Sequence, residues 1–166
     1  MKLPKRIELD ERAEHVVAAL GRTQPIWSGG DLLVPVVGLS EPLRRALKSA
    51  HAGGRVTRGL EGVERKLEAE LQGMESADRR SGATRGQRVS RLLLVASDGA
   101  ERMYRRVETL SRRHPGRLLV LQLECGGDEL GELLFGPGST AKLLMLDHKD
   151  AVADALLALA ESPGPG

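Results

Sequence analysis

The stretch VSRLLLVASDGAERMYRRVETLSRRHPGRLLVLQL, residues 89–123, decides the fold. Leu92, Leu93, Leu94 and Val95 run together as consecutive apolar residues, the mark of a strand covered on both faces. Ser97-Asp98-Gly99 then turns the chain into a helix over 100–114. Met103, Val107 and Leu110 recur on its apolar face at helical spacing. Pro115-Gly116 ends that helix, and residues 118–123 form a second apolar strand. Strands alternating with helices in this way build an α/β sheet.

The pattern continues outward. Downstream, Asp128 opens a short helix with Leu130, Leu133 and Leu134 inward, residues 141–146 predict the last strand, and 150–160 predict a closing helix. Upstream, Ser40 caps a helix carrying Leu43, Ala46, Leu47 and Ala50 on one face. Residues 55–57 predict a brief strand, and Leu60, Val63, Leu67 and Leu71 mark the next helix. The polar segment 73–86, GMESADRRSGATRG, reads as a mobile loop. Residues 32–37, broken by Pro35, read as an edge strand or an extended lead-in. Asp10 is expected to cap a helix through Leu20, and 23–31 reads as a loop whose Trp27 anchors it to the domain. The predicted fold is α/β, a three-layer αβα sandwich with a roughly four-stranded mixed sheet over 40–160. Residues 1–39 are expected as an N-terminal extension with a short helix, and 161–166 as a disordered tail.

Composition narrows the function. Trp27, Tyr104 and Phe135 are the only aromatics besides histidine, so the core is aliphatic and base-stacking platforms are nearly excluded. The net charge of +2 hides an asymmetry. Residues 41–118 hold 18 Lys or Arg against 10 acids, whereas 119–166 hold 2 against 8. The basic half is mostly arginine, whose planar fork suits phosphate. Cys125 is the only cysteine, so no internal disulfide forms, and its flank LQLECGGD suggests a small thiol packed as a hydrophobe. No signal-peptide pattern and no membrane-length apolar run is evident, so a cytoplasmic protein is expected.

No phosphate-binding loop of the G-x-x-x-x-G-K-[ST] type is present. FGPGSTAK at 135–142 has glycines, a serine and a lysine at other spacings; it reads equally as a small anion site or as a tight helix–strand turn. Asp98 follows the best strand, where sites collect in open α/β folds, but capping a helix explains Ser97 or Asp98 more simply. The histidines at 15, 51, 114 and 148 are scattered over unlike elements, and Asp147, His148 and Asp150 read as a helix cap with surface charges. The basic set is the stronger signal. Arg55 and Arg58 flank the short strand, Arg65 and Lys66 lie on the following helix, and amides near Gly59 can hold a phosphate between them. Arg79, Arg80, Arg85 and Arg88 populate the polar segment.

The succession VTRGLEGVERKL, RLLLVASD, LLVLQL and DELGELLFGPGSTAKLLML over residues 40–160 resembles the kink-turn-binding ribosomal protein superfamily. That superfamily also includes the C-terminal domains of eukaryotic-type release factors and Pelota. Its RNA-binding members use the loop and helix start after the first strand, and the loop before the last strand. The resemblance therefore implies two contact regions here: Arg58, Gly59, Leu60, Glu61, Gly62, Arg65 and Lys66, then Gly136, Pro137, Gly138, Ser139 and Thr140. The family's glycine–any–asparagine–glutamate signature stands here as Gly59-Leu60-Glu61-Gly62. A glutamate cannot donate to a base edge as asparagine does.

The expectation is non-catalytic binding of structured RNA, at the ribosome or on another folded RNA. Its contact residues are Arg55, Arg58, Gly59, Glu61, Arg65, Lys66, Gly136, Gly138, Ser139 and Thr140. No cofactor, metal ligand set, membrane partner or DNA-reading motif is expected. The alternative is a protein-interaction or regulatory module on the same fold, with the acidic half meeting a basic partner. An enzyme using Asp98 with the glycine-rich turn as an anion pocket ranks third.

Overall fold

Side chains alternate across the central strands and divide the core in two. Leu92 and Leu94, Leu119, Leu121 and Leu123, and Leu144 and Leu146 face one way; Leu93 and Val95, Leu118 and Val120, and Leu143 and Met145 face the other. A sheet apolar on both faces needs helices on both. The computed structural model, which describes residues 1–82 and 87–161, has that arrangement.

In chain order the elements are α1 (Lys5–Glu8), α2 (Ala13–Ala19), β1 (Thr23–Pro25), β2 (Leu33–Val37), α3 (Glu41–Ala52), β3 (Val56–Arg58), α4 (Leu60–Ser81), β4 (Arg91–Val95), α5 (Glu101–Arg113), β5 (Leu118–Leu123), α6 (Gly127–Phe135), β6 (Leu143–Leu146) and α7 (Lys149–Glu161). The sheet order is β1-β2-β5-β4-β6-β3. Strands β2, β5 and β4 run parallel, and β1, β6 and β3 pair antiparallel with their neighbours. Helices α1, α2, α3, α6 and α7 supply the first core; α4 and α5 supply the second through Val63, Leu67, Tyr104, Val107 and Leu110.

The sheet thus has six strands, not about four. Part of the expected loop at 23–31 is β1, an edge strand where Pro25 costs no interior ladder bond. Strand β2 is second from the edge despite Pro35, because it pairs with β5 only beyond the proline, at Val36 and Val37. The hairpin is pinned by Trp27, as expected: its indole N–H donates to the buried Glu108 carboxylate, and Arg105 lies 5.0 Å over the ring. Residues 1–39 place Ile7 and Val16 in the first core, both fully buried. The helix expected over 10–20 is α2, which starts only at Ala13, after a turn in which Asp10 accepts from the Arg12 backbone N–H at 2.8 Å; a separate short helix, α1, precedes it.

The expected loop at 73–86 is corrected as well. Its part through Ser81 continues α4, which ends at Gly82 in the left-handed conformation. Gly73 weakens a helix interior by only about 1 kcal/mol, and Met, Glu, Ala and Arg around it are helix formers or tolerated there. Glu64, Glu68 and Glu70 also tie α4 to Arg106, Arg113, Arg91 and Arg117. Arg85 and the tail at 162–166 lie outside the described residues; Glu161, assigned to that tail, ends α7. Among the described residues, no helix is long and apolar enough to cross a membrane.

Candidate nucleic-acid interface

The carboxyl ends of β2, β5 and β4 lie at one end of the sheet. Strand β6 begins there and β3 finishes there, since Val95 faces Leu143 and Arg58 faces Leu144 across the ladders. The segments after these strand ends and before β6 therefore share one surface.

Arg58 ends β3, and Gly59 follows with φ 86°, a left-handed value that suits glycine and turns the chain into α4. The Arg58 guanidinium donates to the Thr140 carbonyl at 2.9 Å and lies 4.1 Å over the Phe135 ring. His51, from the end of α3, meets the same ring edge-on at 5.0 Å. The two expected regions, one at 58–66 and one at 136–140, thus touch through Arg58. Sequence reasoning misses His51 and Phe135 as neighbours of this surface; the only signal is that the single phenylalanine directly precedes Gly136.

The second turn is built tightly. Gly136 and Gly138 have φ 98° and 80°. The Ser139 hydroxyl donates to the Phe135 carbonyl at 3.0 Å, and the Thr140 hydroxyl donates to Asp128 at 2.7 Å. The turn packs directly on α6: a Cβ on Gly131 would sit 2.4 Å from the Ser139 carbonyl oxygen.

The other expected contact residues are spread more widely. Arg65 and Glu61 are exposed on α4. Lys66 is 3.8 Å from Asp147, whose carboxylate also accepts from Thr57. Arg55 stands at the opposite end of β3 from Arg58, where it lines a small hollow between α3 and α7 with Ser49 and Asp154. It is not part of the Arg58 surface.

Asp98 caps α6 rather than α5. It accepts from the Gly127 backbone N–H at 2.9 Å and pairs with Lys142 at 3.0 Å. The Lys142 ammonium, then that amide, hold its carboxyl below the usual range, which makes it a weak base at neutral pH. The Ser97 hydroxyl is used on the Cys125 carbonyl at 3.0 Å. Burial, reinforced by Glu129, pushes the Cys125 thiol up to about 11 and leaves it protonated.

Many arginines of the basic half serve as internal partners. Arg91 and Arg117 hold Glu70, Arg106 holds Glu64, Arg113 holds Glu68 and Arg112 pairs with Glu108. The acidic half is answered from outside it, by Arg6 on Asp154, Arg12 on Glu161, Arg22 on Glu124 and Arg44 on Glu129. Arg58 and Arg65 have no carboxylate partner among the described residues.

No family model and no curated protein matches the chain. Among solved structures, a protein with unknown function from Bacillus halodurans is similar at 13% identity and a TM-score of 0.48, over 74% of this chain and 98% of that one.

Proposed function

We propose that this chain is a non-catalytic binder of structured RNA, built as a three-layer αβα sandwich and acting in the cytoplasm at the ribosome or on another folded RNA. The observation that carries the reading is Arg58. Its guanidinium is exposed, lacks a carboxylate partner among the described residues, and joins the Gly59 turn to the Gly136–Thr140 turn. A phosphate there would meet the unpaired amides that open α4, with Arg58 and Arg65 beside them. Arginines already bound to glutamates contribute less, because a phosphate would have to displace the carboxylate first. The contact face therefore contracts to Arg58, Gly59 and Arg65, since Lys66 is partly engaged by Asp147, the Gly138 amide donates to Glu132, and the Ser139 and Thr140 hydroxyls are used on Phe135 and Asp128.

The test is binding to folded RNA as a function of salt. Removing one lysine or arginine from a phosphate lowers the slope of log affinity against log salt by about one. The Arg58→Ala/Arg65→Ala variant is expected to lower it by about two, whereas Arg106→Ala/Arg113→Ala, at guanidiniums already held by Glu64 and Glu68, should leave it nearly unchanged. Equal slopes for wild type and the Arg58/Arg65 variant would remove this face from the reading.

Glu61 favours a second reading. It is exposed in the first turn of α4, beside the amides a phosphate would use, and its charge opposes a phosphate there. A basic protein segment would be attracted instead. A complex that survives nuclease and weakens in Glu61→Gln would select this protein-interaction reading.

A further inference from the structure

A second site lies at the same end of the sheet, toward the opposite edge. The connection leaving β4 goes through α5 to one face, and the connection leaving β5 goes through α6 to the other. Where adjacent parallel strands send their connections to opposite faces, a crevice opens at their carboxyl ends, and ligands of α/β sheets bind there. In this chain the crevice is an open hollow of about 330 Å³ whose lining includes Arg22, Gln24, Val36, Ser97, Gln122 and Glu124. That volume is at the small end of ligand sites and suits a nucleoside.

Gln122 is the feature that needs explaining. It is the one polar residue in the run LLVLQL, it sits in the middle of the sheet between Val36 and Val95, and it is 5% exposed. A buried carboxamide is costly unless its donors and acceptors are met. Its oxygen accepts from the Gln24 amide at 2.6 Å, while no described residue accepts from its own amide nitrogen. Both carboxamides line the hollow. The remaining N–H donors of Gln122 and a second lone pair on its oxygen form a donor–acceptor edge. That edge matches adenine, which offers a ring nitrogen as acceptor beside its amino group as donor; glutamine pairs with adenine in this bidentate way. A purine without the 6-amino group keeps the ring nitrogen but faces the glutamine oxygen without a proton. Val36 gives the ring an apolar floor. Glu124, held by Arg22 at 3.0 Å, and Ser97 stand at the strand ends where ribose hydroxyls would lie.

We infer that this crevice is an adenine-recognising site, separate from the Arg58 surface. The same edge would accept a free nucleoside or an unpaired adenine of a bound RNA, and the experiment separates the two. Amide resonances of the full chain are followed during titration with adenosine, with purine riboside and with single-stranded oligoadenylate. Adenosine is expected to give saturable shifts at Ser97, Gln122 and Glu124, with purine riboside, which lacks the amino group, binding about tenfold more weakly. Gln122→Leu, which extends an apolar strand, is expected to weaken adenosine binding about tenfold. Gln24→Leu, on the exposed edge strand, tests the same edge if Gln122→Leu does not fold. Shifts at these amides with oligoadenylate but not adenosine would assign the edge to RNA. Absence of saturable shifts with either ligand, equal binding of adenosine and purine riboside, or unchanged binding in the folded glutamine variants would overturn the inference. The salt slope of Arg58→Ala/Arg65→Ala reports on the other face, so the two readings fail separately.

Discussion

The same substitution, glycine to alanine, should have opposite effects in two helices of this protein. In α6, a Cβ on Gly131 would lie 2.4 Å from the Ser139 carbonyl oxygen, 2.6 Å from the Ser139 carbonyl carbon and 2.6 Å from the Thr140 Cα. All three are backbone atoms and cannot rotate away. Normal contact is about 3.5 Å, so the Gly136–Thr140 turn must retreat by about 1 Å. Overpacking of this kind costs about 1–3 kcal/mol, and the helix preference of alanine returns up to about 1 kcal/mol. Gly131→Ala should therefore lose about 1–2 kcal/mol, or about 2–8 °C in Tm for a chain of this size. In α4, Gly73 is exposed and a Cβ there meets nothing within 4 Å. Gly73→Ala should gain up to about 1 kcal/mol. Urea denaturation of the two variants measures both signs. The retreating turn also carries the Thr140 carbonyl away from Arg58, so the Ser139 and Thr140 amide resonances should move in Gly131→Ala and stay in place in Gly73→Ala. A Gly131→Ala variant as stable as wild type, with those resonances unmoved, would refute the close packing of this turn on α6.

Trp27→Ala should cost about 3 kcal/mol by thermal denaturation, because it removes the ring packed under Arg105 and leaves the buried Glu108 without its indole donor. A loss under about 1 kcal/mol would mean the hairpin holds without this anchor. Burial would raise the Glu70 carboxyl, but hydrogen bonds from Arg91 and Arg117 outweigh it and hold the pKa below the ordinary value. Glu70→Ala should lose about 2–3 kcal/mol, since two part-buried guanidiniums are left without their anion; a neutral result in urea would show that water compensates them. His114 is lowered from 6.5 by burial first, then by Arg117 and Arg113, with Glu68 and Glu70 opposing. The unfolded chain therefore takes up its proton first as pH falls. Stability present above pH 6.5 should decline from that value downward, toward the lower folded pKa. His114→Gln should remove that part of the pH dependence, and superimposable curves for the two proteins would count against it.

The central strands were legible because their sequence carries the two-sided apolar pattern directly: β5 occupies the predicted 118–123 end to end. The peripheral elements were not, for nonlocal reasons. Thr23–Pro25 has no strand character of its own and is held by pairing with β2 and by Trp27 docking 81 residues away on Glu108. The last turns of α4 look like a polar loop because Gly73 opens a polar run; they continue earlier turns whose Glu68 and Glu70 are held by Arg91, Arg113 and Arg117 from later in the chain. Asp98 was placed at the right strand end, but its role depends on Gly127 and Lys142, which spacing does not reveal. The contact through Arg58 between the two glycine turns follows from the antiparallel register of β3 on β6. Gln122 was legible only as an oddity in an apolar strand; the carboxamide beside it comes from β1.

The charge asymmetry shows why composition alone overstates a nucleic-acid face. A basic half and an acidic half suggest two surfaces, one for an anionic partner and one for a cationic partner. Folding instead sets Glu64, Glu68 and Glu70 against arginines of α5 and the strand starts, all within the basic half. It also draws Arg6, Arg12, Arg22 and Arg44 onto the acidic C-terminal half. Apart from the part-buried Glu70 pairs, pairs of this type are worth at most about 1 kcal/mol each and add little stability, but all of them lower the number of guanidiniums ready for phosphate. Binding strength should then follow the unpaired set and not the arginine count. Charge removal at Arg113, whose pKa is raised by its bond to Glu68, should leave the RNA salt slope nearly unchanged, whereas removal at Arg58 should lower it by about one. Equal effects at the two positions would mean that a diffuse basic field, and not the Arg58 surface, attracts the RNA.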